Sequence, residues 1–181
     1  MFEKQIGQSA VLRLLEERHA PAVFEVVDRD RDYLREWLPW VDSNTEVEHT
    51  RDFIKSALQQ FAANEGLTAG IWYQDEFAGT VSTHKINWPN RKVEIGYWIA
   101  SKYQGQGLVT SACRALIDHA FDAWDLNRIE LHCAIANTKS CRVAERLGFR
   151  PEGVLREAGL VGGRYLDANI YGLLAREWKA R

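Results

Sequence analysis

The stretch Glu94–Arg114, EIGYWIASKYQGQGLVTSACR, decides the fold, because a strand pattern passes through two glycines into a long helix pattern. Val93–Ala100 alternates as strands do, and apolar residues recur every three to four positions along Gln106–Trp124. Gly105 and Gly107 lie between them. Glycine lets the main chain approach a ligand closely, and the first turn of a helix offers unpaired N–H donors at the positive end of its dipole. The junction therefore predicts an anion site suited to a phosphate or pyrophosphate.

Two glycines at this spacing also have a plain structural explanation, since a tight strand-to-helix turn needs the same residues. The loop is not a P-loop, because no Gly-Lys-Ser/Thr follows it. It is also a poor dinucleotide fingerprint, because Thr110 stands where the third glycine is expected. Both explanations, an anion site and a simple turn, stay open from the glycines alone.

The rest of the chain predicts a mixed α/β (α+β) domain with a central sheet. The predicted strands are Ser9–Leu15, Thr68–Gln74, Ala78–Asn87, Val93–Ala100, Arg128–Ala136, Gly153–Val161 and Arg164–Leu174. The predicted helices are His19–Asp28, Thr45–Asn64, Gln106–Trp124 and Thr138–Leu147. Turns are expected at Asp75-Glu76 and at the hairpin signal Gly162-Gly163. No repeat or Gly/Ser-rich linker divides the sequence, so one domain is expected over residues 1–181.

Charge and composition exclude several function classes. The chain has 181 residues and a formal net charge of −2, which argues against a general electrostatic attraction to nucleic acid or to an anionic membrane. No apolar run approaches the roughly 18–20 residues of a membrane span, and the first ten residues contain no apolar signal core. Cys113, Cys133 and Cys141 cannot all pair and fit no zinc spacing. Reduced thiols, no metal and a cytoplasmic location are therefore expected.

Several motifs stand in a fixed order: LREWLPW at Leu34–Trp40, EIGYWI at Glu94–Ile99, KYQGQG at Lys102–Gly107, NTKS at Asn137–Ser140 and AERLGF at Ala144–Phe149. The third resembles the signature Arg/Gln-x-x-Gly-x-Gly/Ala of the GNAT superfamily of acyl-CoA-dependent N-acetyltransferases. The others resemble segments of its RimJ/RimL group, which acetylates ribosomal-protein N-termini. The resemblance covers nearly the whole chain. A lysine replaces Arg or Gln at the first signature position, which leaves the role of that side chain open.

The resemblance implies a central, mostly antiparallel twisted sheet of about seven strands with flanking helices, and acetyl-CoA as co-substrate. In this family the strand before the glycine loop splays from its neighbour, and the pantetheine arm of acetyl-CoA pairs with the open main chain. The expected main-chain contacts are Trp98, Ile99 and Ala100. The expected pyrophosphate-binding residues are Gln104, Gly105, Gln106, Gly107, Leu108 and Val109. Asn137 is expected to bind the pantetheine arm, to cap the following helix, or to do both.

Two catalytic residues are expected. Transfer from a thioester expels a thiolate, so the hydroxyl of Ser140, the serine of Asn-x-x-Ser, is expected to protonate or stabilise the sulfur. The amine must be uncharged to attack, and for an α-amine with a pKa of about 7.7–8.0 a carboxylate acting through water suffices. Glu94 is the candidate base, with a backbone N–H near Ile99 as oxyanion donor. The competing interpretations are a serine that bonds only backbone and a solvated glutamate paired with Arg or Lys.

Other titratable residues receive no catalytic role from the sequence. His84 and His132 lie in strand patterns, where a satisfied or exposed histidine is the expected state, although imidazoles can titrate near neutral pH. No cysteine is assigned as nucleophile, because direct transfer in a ternary complex needs none.

The acceptor side is predicted from aromatic residues. Seven tryptophans are many for 181 residues, and Trp is large and amphipathic, so a shaped groove or an interface is expected besides the core. In the resembling family the Tyr33–Trp40 region walls the acceptor site, so Tyr33, Trp37 and Trp40 are the candidate substrate-binding residues. Trp72, Trp88 and Tyr165 are further candidates, and core packing is the alternative for these three as it is for Trp37 and Trp40. The hairpin Gly153–Leu174 is expected to form the opposite wall or a homodimer surface.

Three functions compete at this point. The first is acetylation of a protein N-terminal α-amine, above all that of a ribosomal protein. The second is acetylation of a small amine such as a polyamine, an amino acid or an aminoglycoside. The third is a CoA-binding sensor without turnover. The presence of Asn137 and Ser140 together with the Gly105 and Gly107 loop favours an enzyme.

Overall fold

A single twisted sheet organises the chain. The computed structural model describes residues 3–180, and within them eight strands pair in the order β1-β2-β3-β4-β5-β6-β8-β7. The strands are β1 (Glu3–Gly7), β2 (Ala10–Leu14), β3 (Thr68–Tyr73), β4 (Glu76–Thr83), β5 (Lys92–Ile99), β6 (Arg128–Ala134), β7 (Arg150–Val161) and β8 (Arg164–Leu174). The helices are α1 (Ala20–Arg29), α2 (Arg31–Leu34), α3 (Val47–Ala62), α4 (Leu108–Asp122), α5 (Thr138–Leu147) and α6 (Ala175–Lys179).

The sheet opens between β5 and β6. These two strands form its one parallel pair within residues 3–180, and their register joins only Lys92–Glu94 to Arg128–Glu130. Beyond that point β5 continues to Ile99 and β6 to Ala134. The two strands therefore part in the middle of the sheet, which is the splay that the family resemblance implies.

The main chain of β5 alternates between its two sides. His84 N–H donates to the Glu94 carbonyl at 2.8 Å, and Ala100 N–H donates to the Ala78 carbonyl at the same distance. In an antiparallel ladder every second residue faces the same partner, so the main-chain groups of Gly96 and Trp98 also face β4. Those of the intervening residues, Tyr97 and Ile99, face the opening.

One hydrophobic core holds these elements in place. Its buried side chains run from Ala10 on β2 to Leu173 on β8. Helix α4 contributes the predicted row Leu108, Ala112, Leu116 and Ala120, with Phe121 1% exposed beside it. Burying a side chain of this size contributes about 1.5–3 kcal/mol, so α4 is anchored along its whole length and its N-terminus is fixed next to the end of β5. Among residues 3–180, no helix has the length and apolar character needed to span a membrane.

The observed boundaries correct several predictions. The β3–β4 hairpin turns at Gln74 and Asp75, not at Asp75-Glu76; their φ angles of 51° and 63° are those of a two-residue turn with both central residues left-handed. Strand β4 ends at Thr83, earlier than predicted. Helix α4 begins at Leu108 rather than Gln106, because Gly107 is left-handed with φ 76°.

Besides the four-residue helix α2, two elements have no counterpart among the predicted strands and helices. Strand β1 has the sequence EKQIG, which lacks an apolar alternation because four of its five residues are exposed at the edge of the sheet. Helix α6 is only five residues long and contains no buried residue. Neither element carries the hydrophobic periodicity on which the sequence-based assignment depends.

Candidate active site

A cleft of about 750 Å³ opens where β5 and β6 part. It is bounded by the end of β5, the glycine loop, α4, α5 and the segment around α2. The sequence-predicted residues that line it are Tyr33, Trp37, Trp98, Ile99, Gln104, Gly105, Gly107, Leu108, Val109, Asn137 and Ser140. The others, Glu94, Trp40, Ala100 and Gln106, lie outside its lining.

The glycine loop combines the two explanations that the sequence left open. Gly105 and Gly107 have φ angles of 75° and 76°, a left-handed backbone that only glycine adopts at low cost. Apart from the adjacent residues of the chain, no atom lies within 4 Å of where a Cβ would stand at either position, so the space in front of the loop is open. The first helical bond of α4 runs from Ser111 N–H to the Gly107 carbonyl at 3.0 Å. The amides that precede Ser111 therefore point out of the helix end.

Basic side chains surround this loop, and the sequence reading missed them. Arg114, Lys139, Arg142 and Arg146 line the cleft, and its lining within residues 3–180 includes no Asp or Glu. The cleft is therefore locally positive although the whole chain has a formal net charge of −2. The spacing of Arg142 and Arg146, one helical turn apart on α5, was the available signal.

Ser140 stands in a small hydrogen-bonded cluster at the inner end of the cleft. Its Oγ lies 2.8 Å from the Tyr97 hydroxyl, which also donates to the Ser140 carbonyl at 3.2 Å. The Ser140 N–H donates to Asn137 Oδ1 at 3.1 Å, so Asn137 caps α5 as predicted. Sequence reasoning missed Tyr97, which alternates with Trp98 on β5 and therefore points to the opposite face, toward α5.

Tyr97 is held in its protonated form. Burial raises the pKa of its phenol strongly, and the neighbouring Cys113 raises it further, outweighing the hydrogen bond with Ser140, which lowers it. The phenol therefore keeps its proton through the neutral range. The hydrogen-bond partner of the Ser140 hydroxyl is thus a protonated phenol.

Glu94 lies on the other face of β5, together with Gly96 and Trp98 as the alternation predicts. Its carboxylate is 32% exposed and faces two histidines: Oε1 lies 3.9 Å from His84 Nε2, and Oε2 lies 3.5 Å from His132 Nδ1. The competing interpretation placed an Arg or Lys beside this glutamate, whereas the structure places imidazoles there. The predicted acid and the predicted base are therefore separated by the strand that carries Glu94.

Comparisons with known proteins identify the family of this chain. The chain matches the family described as "Acetyltransferase (GNAT) domain" over residues 10–150. This chain is a GNAT acetyltransferase. It is 37% identical over 180 residues to "Putative ribosomal N-acetyltransferase YdaF" of Bacillus subtilis (strain 168), covering 99% of this chain and 98% of that protein. It is 29% identical over 167 residues to the ribosomal-protein-serine acetyltransferase of Escherichia coli (strain K12), covering 92% and 93%.

A solved structure supports the same assignment. RimL, a ribosomal L7/L12 α-N-protein acetyltransferase solved with coenzyme A, superposes with a TM-score of 0.93 at 28% identity, covering 97% of this chain and 99% of that one. The expected GNAT fold, the enzyme class and the dependence on acetyl-CoA are confirmed. Residues 3–180 form eight strands, where about seven were expected.

Lys102, the residue that departs from the GNAT signature, points away from the cleft. Its ammonium lies 2.6 Å from Glu76 Oε2 and 5.0 Å from the centre of the Tyr103 ring, and Tyr103 also donates a hydrogen bond to Glu76. The hydrogen bond with Glu76 raises the pKa of Lys102. This lysine therefore ties the loop to β4 rather than facing the cofactor cleft.

The aromatic residues of the GNAT domain divide between the site and the core. Trp98 packs between Phe77 and Trp40, at ring-centre distances of 5.7 and 6.1 Å, so Trp40 approaches the cleft only through Trp98. Of the further lining candidates, Trp72 is 8% exposed in the core. Trp88 packs against Trp124 rather than in the cleft, and Tyr165 lies exposed on the β7–β8 hairpin.

Proposed function

We propose that this enzyme acetylates the N-terminal α-amine of a ribosomal protein. The observation that carries the proposal is the cleft where β5 and β6 part, with an amide-rich helix end at one side and the Ser140–Tyr97 donor pair inside it. The names of the E. coli relative and of the RimL structure supply the acceptor class.

Acetyl-CoA is proposed to bind along β5 and into the glycine loop. The main-chain groups of Tyr97 and Ile99 face the opening, whereas those of Trp98 and Ala100 are committed to β4. The proposed pantetheine contacts therefore shift by one residue, with Ile99 retained and Tyr97 added. The amides from Gly105 to Val109 meet the pyrophosphate. Arg114, Arg142 and Arg146 supply positive charge for the phosphates.

The proposed reaction is one direct transfer. Glu94, acting through a water molecule, accepts a proton from the ammonium form of the acceptor. The free amine attacks the thioester carbonyl, the C–N bond forms, and the Ile99 N–H stabilises the oxyanion. The attached nitrogen loses its second proton to water and the C–S bond breaks; the Ser140 hydroxyl, hydrogen-bonded to the Tyr97 phenol, donates to the departing sulfur, which takes up a proton from water and leaves as the thiol.

The pKa of the acceptor's ammonium form favours an α-amine over a lysine side chain as the acceptor. An α-amine with a pKa of about 7.8 is roughly a quarter uncharged at pH 7.4, whereas a lysine with a pKa of about 10.4 is about 0.1% uncharged. A partly exposed carboxylate such as Glu94 is sufficient for the first and weak for the second. The site therefore fits a protein N-terminus better than a lysine side chain or a polyamine.

A thiol-release assay tests the proposal. Wild-type enzyme with acetyl-CoA is offered peptides that copy ribosomal-protein N-termini, the same peptides with blocked N-termini as matched controls, and a panel of small amines. We expect turnover with the free peptides alone. Turnover only with small amines would show that the acceptor is a small amine and not a protein N-terminus. Tight acetyl-CoA binding without turnover on any amine would identify a sensor.

We also propose that the enzyme is a homodimer that uses the β7–β8 hairpin. Val154, Leu155, Leu160 and Tyr165 on this hairpin are between 42% and 64% exposed, a concentration of apolar surface that is typical of an interface. Sedimentation of the wild type and of Leu160→Glu tests this. A dimer that becomes a monomer in the variant is expected, and a monomeric wild type would exclude it.

A cytoplasmic location is proposed from the thiols. Cys113, Cys133 and Cys141 are free and buried, and the Sγ atoms of Cys133 and Cys141 lie 3.2 Å apart without a bond between them. Burial and the hydrogen bond with Cys141 raise the pKa of Cys133 to about 12, which keeps it in the unreactive thiol form. Cell fractionation with thiol counting tests the location; three reduced thiols in the cytoplasmic fraction are expected.

A further inference from the structure

His132 lies beside the candidate base at the point where the sheet opens. Glu94 and Glu130 are the last parallel partners of β5 and β6, and His132 follows two residues later on the same face of β6. Its Nδ1 is 3.5 Å from Glu94 Oε2. Catalytic hydrogen bonds are often long in structures without substrate, so this separation is compatible with direct proton exchange.

The second nitrogen of this ring is enclosed. His132 Nε2 is shielded from solvent and has no hydrogen-bond partner within residues 3–180. The nearest carboxylate oxygen on that side, Glu130 Oε2, is 3.9 Å away. Buried polar atoms are normally satisfied, so an unpaired ring nitrogen beside a carboxylate calls for a functional explanation.

A carboxylate lies near each ring nitrogen of His132. On its own strand, Glu130 binds Arg128 at 2.8 Å and Lys92 of β5 at 3.2 Å. Burial acts to raise the pKa of Glu130, but the hydrogen bonds from Arg128 and Lys92 outweigh it and lower the pKa, so this carboxylate stays ionised. From the β8 side the register partner is Ile170, which carries no charge. The imidazole therefore stands between the carboxylates of Glu94 and Glu130.

We propose that His132 positions Glu94 and relays the proton that Glu94 takes from the amine. The inference rests on the proposed role of Glu94 as base. The amine N–H bond breaks and the proton reaches the Glu94 carboxylate through water; the Glu94 O–H bond then breaks and the proton passes to the Nδ1 lone pair of His132. Glu94 is again a carboxylate, and the imidazolium lies between two negative charges. After product release the proton returns through Glu94 to solvent.

His84 provides a matched control. It faces the same carboxylate from the end of β4, at 3.9 Å, but its side chain is 60% exposed. Its ring lies over Gly96, where an added Cβ would come within 3.1 Å of Nε2. Water competes for both of its nitrogens, so it has no enclosed route for a proton. The two histidines carry the same side chain and the same carboxylate neighbour, and they differ in their exposure to solvent.

Steady-state kinetics with pH profiles test the relay, using whichever amine the wild type turns over. For His132→Gln we expect kcat to fall about 30-fold or more, with KM for acetyl-CoA within about twofold, and the acidic limb of the kcat profile to move. His84→Gln is expected to change kcat less than about threefold and to keep the limb. Added imidazole is expected to restore much of the kcat of His132→Ala, measured against a blank without acceptor.

A double variant separates this inference from the proposed function. If His132 acts through Glu94, Glu94→Gln combined with His132→Gln has the same kcat as Glu94→Gln alone. Multiplied losses would show that His132 does not act through Glu94, and a kcat within threefold of wild type in His132→Gln would exclude the relay. Failure of imidazole to restore folded His132→Ala would also overturn it. Turnover with small amines alone would change the acceptor and leave this test intact.

Discussion

The two faces of β5 carry different kinds of side chain: a buried proton donor on one and a partly exposed carboxylate on the other. On the face toward α5, Tyr97 is buried and hydrogen-bonded to Ser140, and its pKa is raised so that it holds its proton. On the other face, Glu94 is one-third exposed and meets His84 and His132. Transfer of an acetyl group needs a proton removed from the amine and a proton delivered to the sulfur. In the proposed reaction, the alternation of one strand keeps the group that removes the proton apart from the group that donates to the sulfur.

The largest expected effect on kcat comes from a substitution on the exposed face of β5. Glu94→Gln keeps the shape of the side chain but removes its ability to accept a proton, so kcat is expected to fall about 10²–10³-fold. The base works only when deprotonated, so wild-type kcat rises with pH through this ionisation and the variant loses that acidic limb. Retention of the wild-type limb in the pH–rate profile would remove Glu94 as base.

The next largest effect on kcat is expected for substitutions on the buried face of β5. Ser140→Ala is expected to lower kcat about 10- to 50-fold while acetyl-CoA still binds, since the thiolate loses its donor. Tyr97→Phe is expected to cost less, because Ser140 remains, and its pH profile keeps the wild-type shape through the neutral range because the raised pKa holds the phenol protonated there. Calorimetric titration with CoA checks binding; an unchanged kcat in Ser140→Ala would discard the acid role.

A smaller effect is expected for a substitution in the glycine loop that precedes α4. Gly107→Ala places a Cβ on a backbone with φ 76°, which costs roughly 1–2 kcal/mol and is relieved when the loop moves. We expect KM for acetyl-CoA to rise about tenfold with kcat at saturation nearly unchanged. Gly153→Ala, on β7 with open space for a Cβ, is the control and is expected to behave as wild type. Equal kinetics for both variants would contradict the role of the loop.

The smallest effect concerns the signature position that departs from the family. Lys102 pairs with Glu76 outside the cleft, and both side chains are more than half exposed. Exposed pairs contribute little, so Lys102→Ala is expected to change KM for acetyl-CoA by less than about twofold. A large rise in this KM would show that the ammonium reaches the cofactor after all.

The sequence was most informative where a local pattern determines the structure. The alternation along Glu94–Ile99, the glycines before α4 and the Asn137 cap were all readable, because each depends on neighbours in the chain. Tyr97 was visible as a strand residue, but its contact with Ser140 joins residues 43 positions apart. The orphaned nitrogen of His132 depends on how closely β6 is enclosed by its neighbours, which no spacing records. Strand β1 was missed because its residues are exposed and lack an apolar pattern.

The opening between β5 and β6 also bears on stability. An unpaired strand edge is ordinarily a liability on a protein surface, and here one lies inside the sheet, at Tyr97 and Ile99. A cofactor that pairs with this edge completes the sheet as an added strand. The folded state alone offers such an edge, so ligand at 100 times its Kd adds about 2.7 kcal/mol to the free energy of unfolding. If acetyl-CoA pairs with this edge as proposed, the amide hydrogens of Tyr97 and Ile99 are expected to exchange more slowly when it is bound.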